Sequence, residues 1–191
     1  MFPGQENSLG AKRSAKRQKR SASKTFDTGE GSALITGFAR AEERTADVID
    51  NKGKGIGSIE VKQGPHGVVL RVMLRPGALA PGWHGVHLHE VGDCSDIEKF
   101  MHSKGHINPS NAEHGFLNPK GPHPADLPNV YAYSDGSAQA EMFIDGVSLS
   151  GGKINLLDAD GSAVVVHASP DDHMSQPIGG AGGRVARAVL K

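Results

Sequence analysis

The chain has 191 residues and a mass of 20.0 kDa, which suits one domain with a tail or two very small domains. Basic and acidic side chains balance at 21 each, which excludes a wholly basic nucleic-acid-binding domain. No apolar run approaches the ~18 residues that a membrane-spanning helix needs. The single cysteine, Cys94, excludes an intramolecular disulfide and any zinc site built mainly on thiolates.

The neutral total conceals an asymmetry. Residues 1–24 hold Lys12, Arg13, Lys16, Arg17, Lys19, Arg20 and Lys24 against Glu6, a local charge of +6, and leave −6 on the remaining residues. Residues 1–30 therefore read as a disordered basic tail, able to adsorb to anionic surfaces but without specific recognition of nucleic acid. Polar residues 21–27 follow the basic run where a secretory leader has its apolar segment. As written the chain reads as cytoplasmic; a misassigned N-terminus would make it periplasmic.

Residues 31–191 read as one domain. The apolar stretch at residues 33–39 is short, and from about residue 45 the hydropathy period becomes that of strands. Residues 57–62 alternate, Gln63-Gly64-Pro65-His66-Gly67 is a hairpin signal, and residues 68–74 alternate again. Further strands are expected at 85–90, 129–134, 138–144, 162–167 and 184–190. A weak helical signal at 96–102 is the exception outside the tail. Many short strands with Gly, Pro and Asp between them indicate an antiparallel sandwich or barrel. Residues 92–128 and 167–183 break this rhythm. Long irregular segments in a compact domain are usually functional, and both of these carry histidine.

Histidine is the unusual count: eight of the ten lie between His84 and His167. In Trp83-His84-Gly85-Val86-His87-Leu88-His89-Glu90 a strand would put His87 and His89 on one face, roughly 7 Å apart, so that two imidazoles converge. By itself that pattern also fits imidazoles hydrogen-bonded within a sheet. Gly105-His106-Ile107-Asn108-Pro109, His114 and His123-Pro124-Ala125-Asp126 then place three imidazoles and a carboxylate in one short window, a plausible tetrahedral zinc shell. A metal there would order a segment rich in glycine and proline. His167 ends the apolar run Val164-Val165-Val166, just ahead of Asp171.

Four motifs carry a resemblance: Gly82–His89, Gly105–Pro109, His123–Leu127 and Gly179–Arg184. With this order and spacing, the sequence resembles the copper/zinc superoxide dismutases of bacteria over roughly residues 57–190. The resemblance implies an all-β, immunoglobulin-like Greek-key β-sandwich or flattened eight-stranded barrel with two long metal-site loops. It implies copper bound by His87, His89, His106 and His167, and zinc bound by His106, His114, His123 and Asp126, with His106 as the bridge. Asp171 would accept hydrogen bonds from His87 and His114, and His84 would brace loops without binding metal. Arg184 would attract superoxide, and His106 would serve catalysis by releasing copper and carrying a proton. The activity implied is dismutation of superoxide to O2 and H2O2. A non-enzymatic metal-binding or metal-delivery protein on the same scaffold is the alternative, and a homodimer is left open as a partner state.

The sequence departs from the family at its disulfide. The partner of Cys94 would sit three residues after Arg184, where this chain has Arg187. Loss of the bridge is expected to loosen the loop after Glu90 and the placement of Arg184, unless Arg187 compensates through an ion pair with Asp93 or Asp96. It also fits a reducing compartment. Lys99, Lys104 and Lys120 are the candidates for extra cationic steering.

Overall fold

The computed structural model describes residues 41–191; the basic tail expected over residues 1–30, the apolar stretch at 33–39 and the expected start of the domain lie outside that range. The described strands are β1 (Glu43–Asp50), β2 (Gly55–Gln63), β3 (Gly67–Leu74), β4 (Gly82–His84), β5 (Val86–His89), β6 (Val130–Ala132), β7 (Ala138–Asp145), β8 (Ser162–His167) and β9 (Arg184–Leu190). One 3-10 turn, Met101–Ser103, is the sole helical element among the described residues. Seven strands bond in the order β5-β8-β9-β1-β2-β3-β7, and β4 pairs with β6 in a second, two-stranded sheet. The pairing is antiparallel throughout.

Side-chain alternation explains these strands. On β2, Ile59 and Val61 are buried while Glu60 and Lys62 face outward; on β3, Leu70 and Val72 are buried while Arg71 and Met73 are exposed. The hairpin between them closes where the sequence indicates it, with the Gly64 amide bonded to the Gly67 carbonyl at 2.8 Å. Outside, Arg71 joins Glu60 and Glu141 across three strands, each at 3.0 Å. As an exposed network it contributes little to stability.

β4 and β5 form one run broken at Gly85, where the chain passes from one sheet to the other. Counted as one strand, they give the eight strands of the expected flattened barrel. The Gly85 amide bonds the Ser169 carbonyl, and its own carbonyl accepts from the His167 amide, both at 2.9 Å. A Cβ on Gly85 would stand 2.9 Å from the Ala181 Cβ, so glycine is needed for the loop to approach this closely.

Beyond this split, the sequence reading passed over β1, where only Val48 is fully buried, so alternation is weak. The helical signal at 96–102 becomes a single turn. The Phe100 amide bonds the Asp96 carbonyl at 2.8 Å, and the Asp96 carboxylate accepts from the amides of Met101 and His102 at 2.6 and 3.1 Å. Phe100 then leaves helical space at φ 54°.

Two hydrophobic clusters result. The larger fills the interior between the sheets and includes Val86, Leu88, Val164 and Val166. The smaller joins Cys94 and Phe100, from the loop after β5, to Ala163 and Val165 on the opposite face of β8. β5 and β8 are therefore covered on both sides, and all their residues are buried.

Candidate metal centre

The period of two along β5 decides where the histidines point: Val86 and Leu88 enter the larger core, and His87 and His89 face away from it. The long loop returns along this strand. His89 bridges to His106 and His87 to Asp126; the Leu88 amide bonds the Ala125 carbonyl at 3.1 Å, and the Ile107 amide bonds the Leu88 carbonyl at 3.0 Å. Two backbone ladders thus fix the loop histidines against the strand histidines.

His87, His89, His106 and His167 each offer one ring nitrogen, and these four atoms lie within 4.8 Å of one another. His87 Nδ1 and the Nε2 atoms of His89, His106 and His167 are buried without a hydrogen-bond partner. The opposite nitrogens are engaged: His87 Nε2 with Asp171 Oδ2 at 2.8 Å, His89 Nδ1 with the Lys104 carbonyl at 2.9 Å, and His167 Nδ1 with the Gly182 carbonyl at 3.0 Å. Each of these three rings donates a proton outward, so a bare lone pair faces the shared centre. Leaving four buried acceptors unsatisfied is costly unless a cation completes them. Imidazole donors of this kind suit copper or zinc.

A second group of mutually close donors consists of His87, His106, His114 and Asp126. His114 Nδ1 and His123 Nδ1 lie 2.6 and 3.1 Å from Asp126 Oδ1 but lack the alignment of hydrogen bonds, so the three atoms converge on a common point. Asp126 Oδ2 accepts from the amides of Gly115 and His123 at 2.9 and 3.2 Å, which holds Oδ1 toward that point. His123 Nε2 is 3.3 Å from His106 Nδ1. The sequence reading assigned His123 to this set. Its Nδ1 does face Asp126 Oδ1, while the four donors that all lie within 4.8 Å of one another take in His87, whose ring centre is 4.1 Å from that of His106.

Asp171 joins the groups from behind, receiving His87 on one oxygen and His114 Nε2 on the other at 3.0 Å. Burial would raise its pKa, but those two histidines and the His173 amide hold it far below the usual carboxylate range. Burial would lower the pKa of His114; the carboxylates of Asp126 and Asp171, one beside each ring nitrogen, hold it up to about 9 instead. Burial, reinforced by neighbouring positive or imidazole groups, pushes His89 and His106 well below the ordinary range and His167 down to about 4. These three rings are therefore neutral at physiological pH, the state a metal ligand requires.

The profile of a family described as "Copper/zinc superoxide dismutase (SODC)" matches residues 56–190. The chain belongs to the copper/zinc superoxide dismutase family. It is 49% identical over 150 residues to "Superoxide dismutase [Cu-Zn]" of Caulobacter vibrioides, covering 77% of this chain and 84% of that one. It is 39% identical to "Superoxide dismutase [Cu-Zn] 1" of Aquifex aeolicus over 163 residues, 83% of this chain and 95% of the other. A crystal structure of a superoxide dismutase-like protein from Bacillus subtilis superposes with TM-score 0.72 at 34% identity, covering 77% of this chain and 97% of that one. The family is one of oxidoreductases that use copper and zinc, and the two histidine groups supply donors suited to both metals.

Arg184 lines a cleft together with His106, His114, His123 and Gln176. It is far from loose. Nη1 donates to the Phe100 carbonyl at 2.6 Å and to Ser103 Oγ at 2.9 Å, and Nη2 donates to the Lys104 carbonyl at 2.7 Å. That corrects the expected blurring of Arg184 by the missing disulfide. The expected compensating ion pair is also absent: among the described residues Arg187 pairs with neither Asp93 nor Asp96, and its guanidinium lies over the Phe100 ring, 5.9 Å from the centroid. Lys120 is engaged with Glu113 at 3.1 Å rather than free for steering. His84 braces as expected, with Nδ1 2.7 Å from the His167 carbonyl and Nε2 2.8 Å from that of Ala80.

Sequence reasoning missed several supports. Asn129 grips the Asp171 backbone twice at 2.8 Å, donating to its carbonyl and accepting from its amide. Gln176 does the same for His114, at 2.9 and 2.8 Å. Neither amide side chain stands in a distinctive pattern. Gly179 did appear in the Gly-rich motif, and its reason is now visible: at φ 59°, a Cβ there would overlap Asp171 Oδ1 and stand 2.9 Å from His114 Nε2.

Proposed function

We propose that this chain is a superoxide dismutase that holds copper at His87, His89, His106 and His167 and zinc at His106, His114, His123 and Asp126. One observation carries the reading: four buried imidazole nitrogens without protein partners, gathered within 4.8 Å. Because Asp171 engages His87 Nε2, that ring has only Nδ1 to give. Assigned to the copper set, it leaves the second set to be completed by His123, whose Nδ1 faces Asp126 Oδ1.

Bound copper supplies one-electron cycling between Cu2+ and Cu+, converting two superoxide anions and two protons into O2 and H2O2, while redox-inert zinc orders the loop. The protein's own contribution is electrostatic and positional. The Arg184 guanidinium stays cationic at any relevant pH and presents a fixed fork at the cleft, which raises the local concentration of a small anion. His106 has one nitrogen toward each donor group, so it can hold a proton at Nε2 and pass it to the reduced anion. Asp171, bonded to His87 and His114, keeps both rings in one tautomer as charges change nearby.

A second reading is a protein that holds metal without turnover. It is favoured by the likeness to a superoxide dismutase-like protein and by the absence of a cysteine partner for Cys94. Metal analysis of the purified protein beside a superoxide-decay assay separates the two. Both metals bound with rapid decay supports the dismutase; both metals bound without decay supports the alternative. His167→Ala should lose copper and activity while zinc content is retained, and full activity in that variant would remove the proposed copper site.

A further inference from the structure

The family's disulfide would tie the loop after β5 to β9, and this chain cannot form it, yet Arg184 at the start of β9 is held to that loop by three hydrogen bonds. Two of the three acceptors are backbone carbonyls, those of Phe100 and Lys104. These residues flank the 3-10 turn, and both have positive φ: Phe100 is left-handed at φ 54° and ψ 28°, and Lys104 lies at φ 59° and ψ −141°. Among the described residues only four non-glycines have positive φ, and two of them are the ones whose carbonyls turn toward Arg184. Such backbone persists only where its surroundings over-determine it.

The over-determining contact is the Phe100 side chain. It is fully buried, the largest side chain so enclosed among the described residues, although Ile97 and Met101 of the same loop are exposed. Its ring packs with Cys94, Ala163 and Val165, and the Arg187 guanidinium covers it. Val165 and Arg187 are register partners across β8 and β9, so the ring is seated on the strand pair that begins at Arg184. The thiol that the family would cross-link and the residue standing in its partner's place both lie against this one ring.

We infer that Phe100, seated on Ala163 and Val165 beneath Arg187, is the non-covalent tie that positions Arg184 in this chain, in place of the disulfide. Phe100 is a positioning residue: it acts through its own carbonyl and through the turn that aims the Lys104 carbonyl. The Lys104 carbonyl also accepts from His89 Nδ1, so the same tie fixes one histidine of the centre. The catalytic importance of the tie rests on the proposed role of Arg184; its structural claim does not.

The test therefore uses the metal-free full chain first. Two readouts are followed: the rate at which Cys94 reacts with an aromatic disulfide reagent, and proton exchange at the Arg184 guanidinium by NMR. Phe100→Ala should accelerate both at least tenfold. Phe100→Leu, which keeps apolar volume, should show a smaller change, and Arg187→Gln, at a half-exposed position, should fold and accelerate both modestly. Combining Phe100→Ala with Arg187→Cys and oxidising the protein should form the Cys94 bridge and return Arg184 exchange to within about threefold of the parent. In the metal-loaded protein, Phe100→Ala should lower the superoxide-decay rate at least fivefold, and the bridged variant should recover it. Cys94 exposed while Arg184 exchange is unchanged overturns the inference, as does a double variant whose thiols stay free after oxidation. A parent protein that fails to remove superoxide while the metal-free results hold would instead overturn the proposed function and leave the tie intact.

Discussion

Gly179→Ala is the sharpest perturbation the structure offers, because one methyl group meets the carboxylate that joins both donor groups. The added Cβ would overlap Asp171 Oδ1 and stand 2.9 Å from His114 Nε2. Residue 179 also sits at φ 59°, where an alanine costs about 1–2 kcal/mol. Moving Asp171 away weakens its 3.0 Å bond to His114, and a hydrogen bond to a charged group contributes about 1.5–3 kcal/mol. The two terms give about 2.5–5 kcal/mol. For a domain of this size the lower figure corresponds to a fall in melting temperature of roughly 5–10 °C in the metal-free protein. Zinc affinity should fall about 10–100-fold, the usual consequence of losing an outer partner of a metal-binding histidine. Calorimetry of the metal-free protein and titration of zinc against a chromophoric chelator measure the two effects. A variant that melts within 2 °C of the parent and binds zinc within threefold would show that the Asp171 bridge does not organise the centre.

Three further outcomes are expected. Asp126→Ala removes the carboxylate oxygen between His114 and His123, so zinc affinity should drop and limited proteolysis should cut residues 92–128 sooner; equal cleavage with and without zinc would contradict the ordering of that loop by metal. Asn129→Ala frees the Asp171 backbone at two bonds and should cost about 1–3 kcal/mol by thermal melting, whereas a variant as stable as the parent would show that neighbouring contacts suffice. Burial raises the Cys94 pKa, so the folded state favours the neutral thiol; that stability is complete below the unfolded pKa and is lost as pH rises through the folded one. Cys94→Ala should therefore flatten the decline in stability above about pH 9, and identical alkaline profiles would mean that the thiol ionises equally in both states.

The sequence exposes those parts of the fold in which burial alternates strongly. β3 and β7 pair along their whole length with apolar residues on one face, and both were expected close to their true limits. β1 escapes because it pairs on both sides while fully burying a single residue, so its backbone carries the order that its side chains do not advertise. β4 escapes because three residues hold too little pattern to read. The break at Gly85 is a tertiary event: its cause is the approach of residues 169 and 181, far away in sequence.

The candidate site divides in the same way. Candidate metal ligands are legible because few residue types can do the work, so His87, His89, His106, His114, His123, Asp126 and His167, the set proposed above, stand out by type and spacing. The residues that aim them are not so restricted. Asn129 and Gln176 act through ordinary amides, and the acceptors for His89, His167 and Arg184 include the backbone carbonyls of Lys104, Gly182 and Phe100. A carbonyl has no sequence signature, since every residue owns one. The missing cysteine illustrates the consequence. Read from the sequence, its loss predicts a loosened Arg184, because a disulfide is the one tie that residue identity reveals. The structure holds the same arginine with two carbonyls and a hydroxyl, and the side chain that betrays the arrangement is a phenylalanine fully buried in a loop whose Ile97 and Met101 stay exposed.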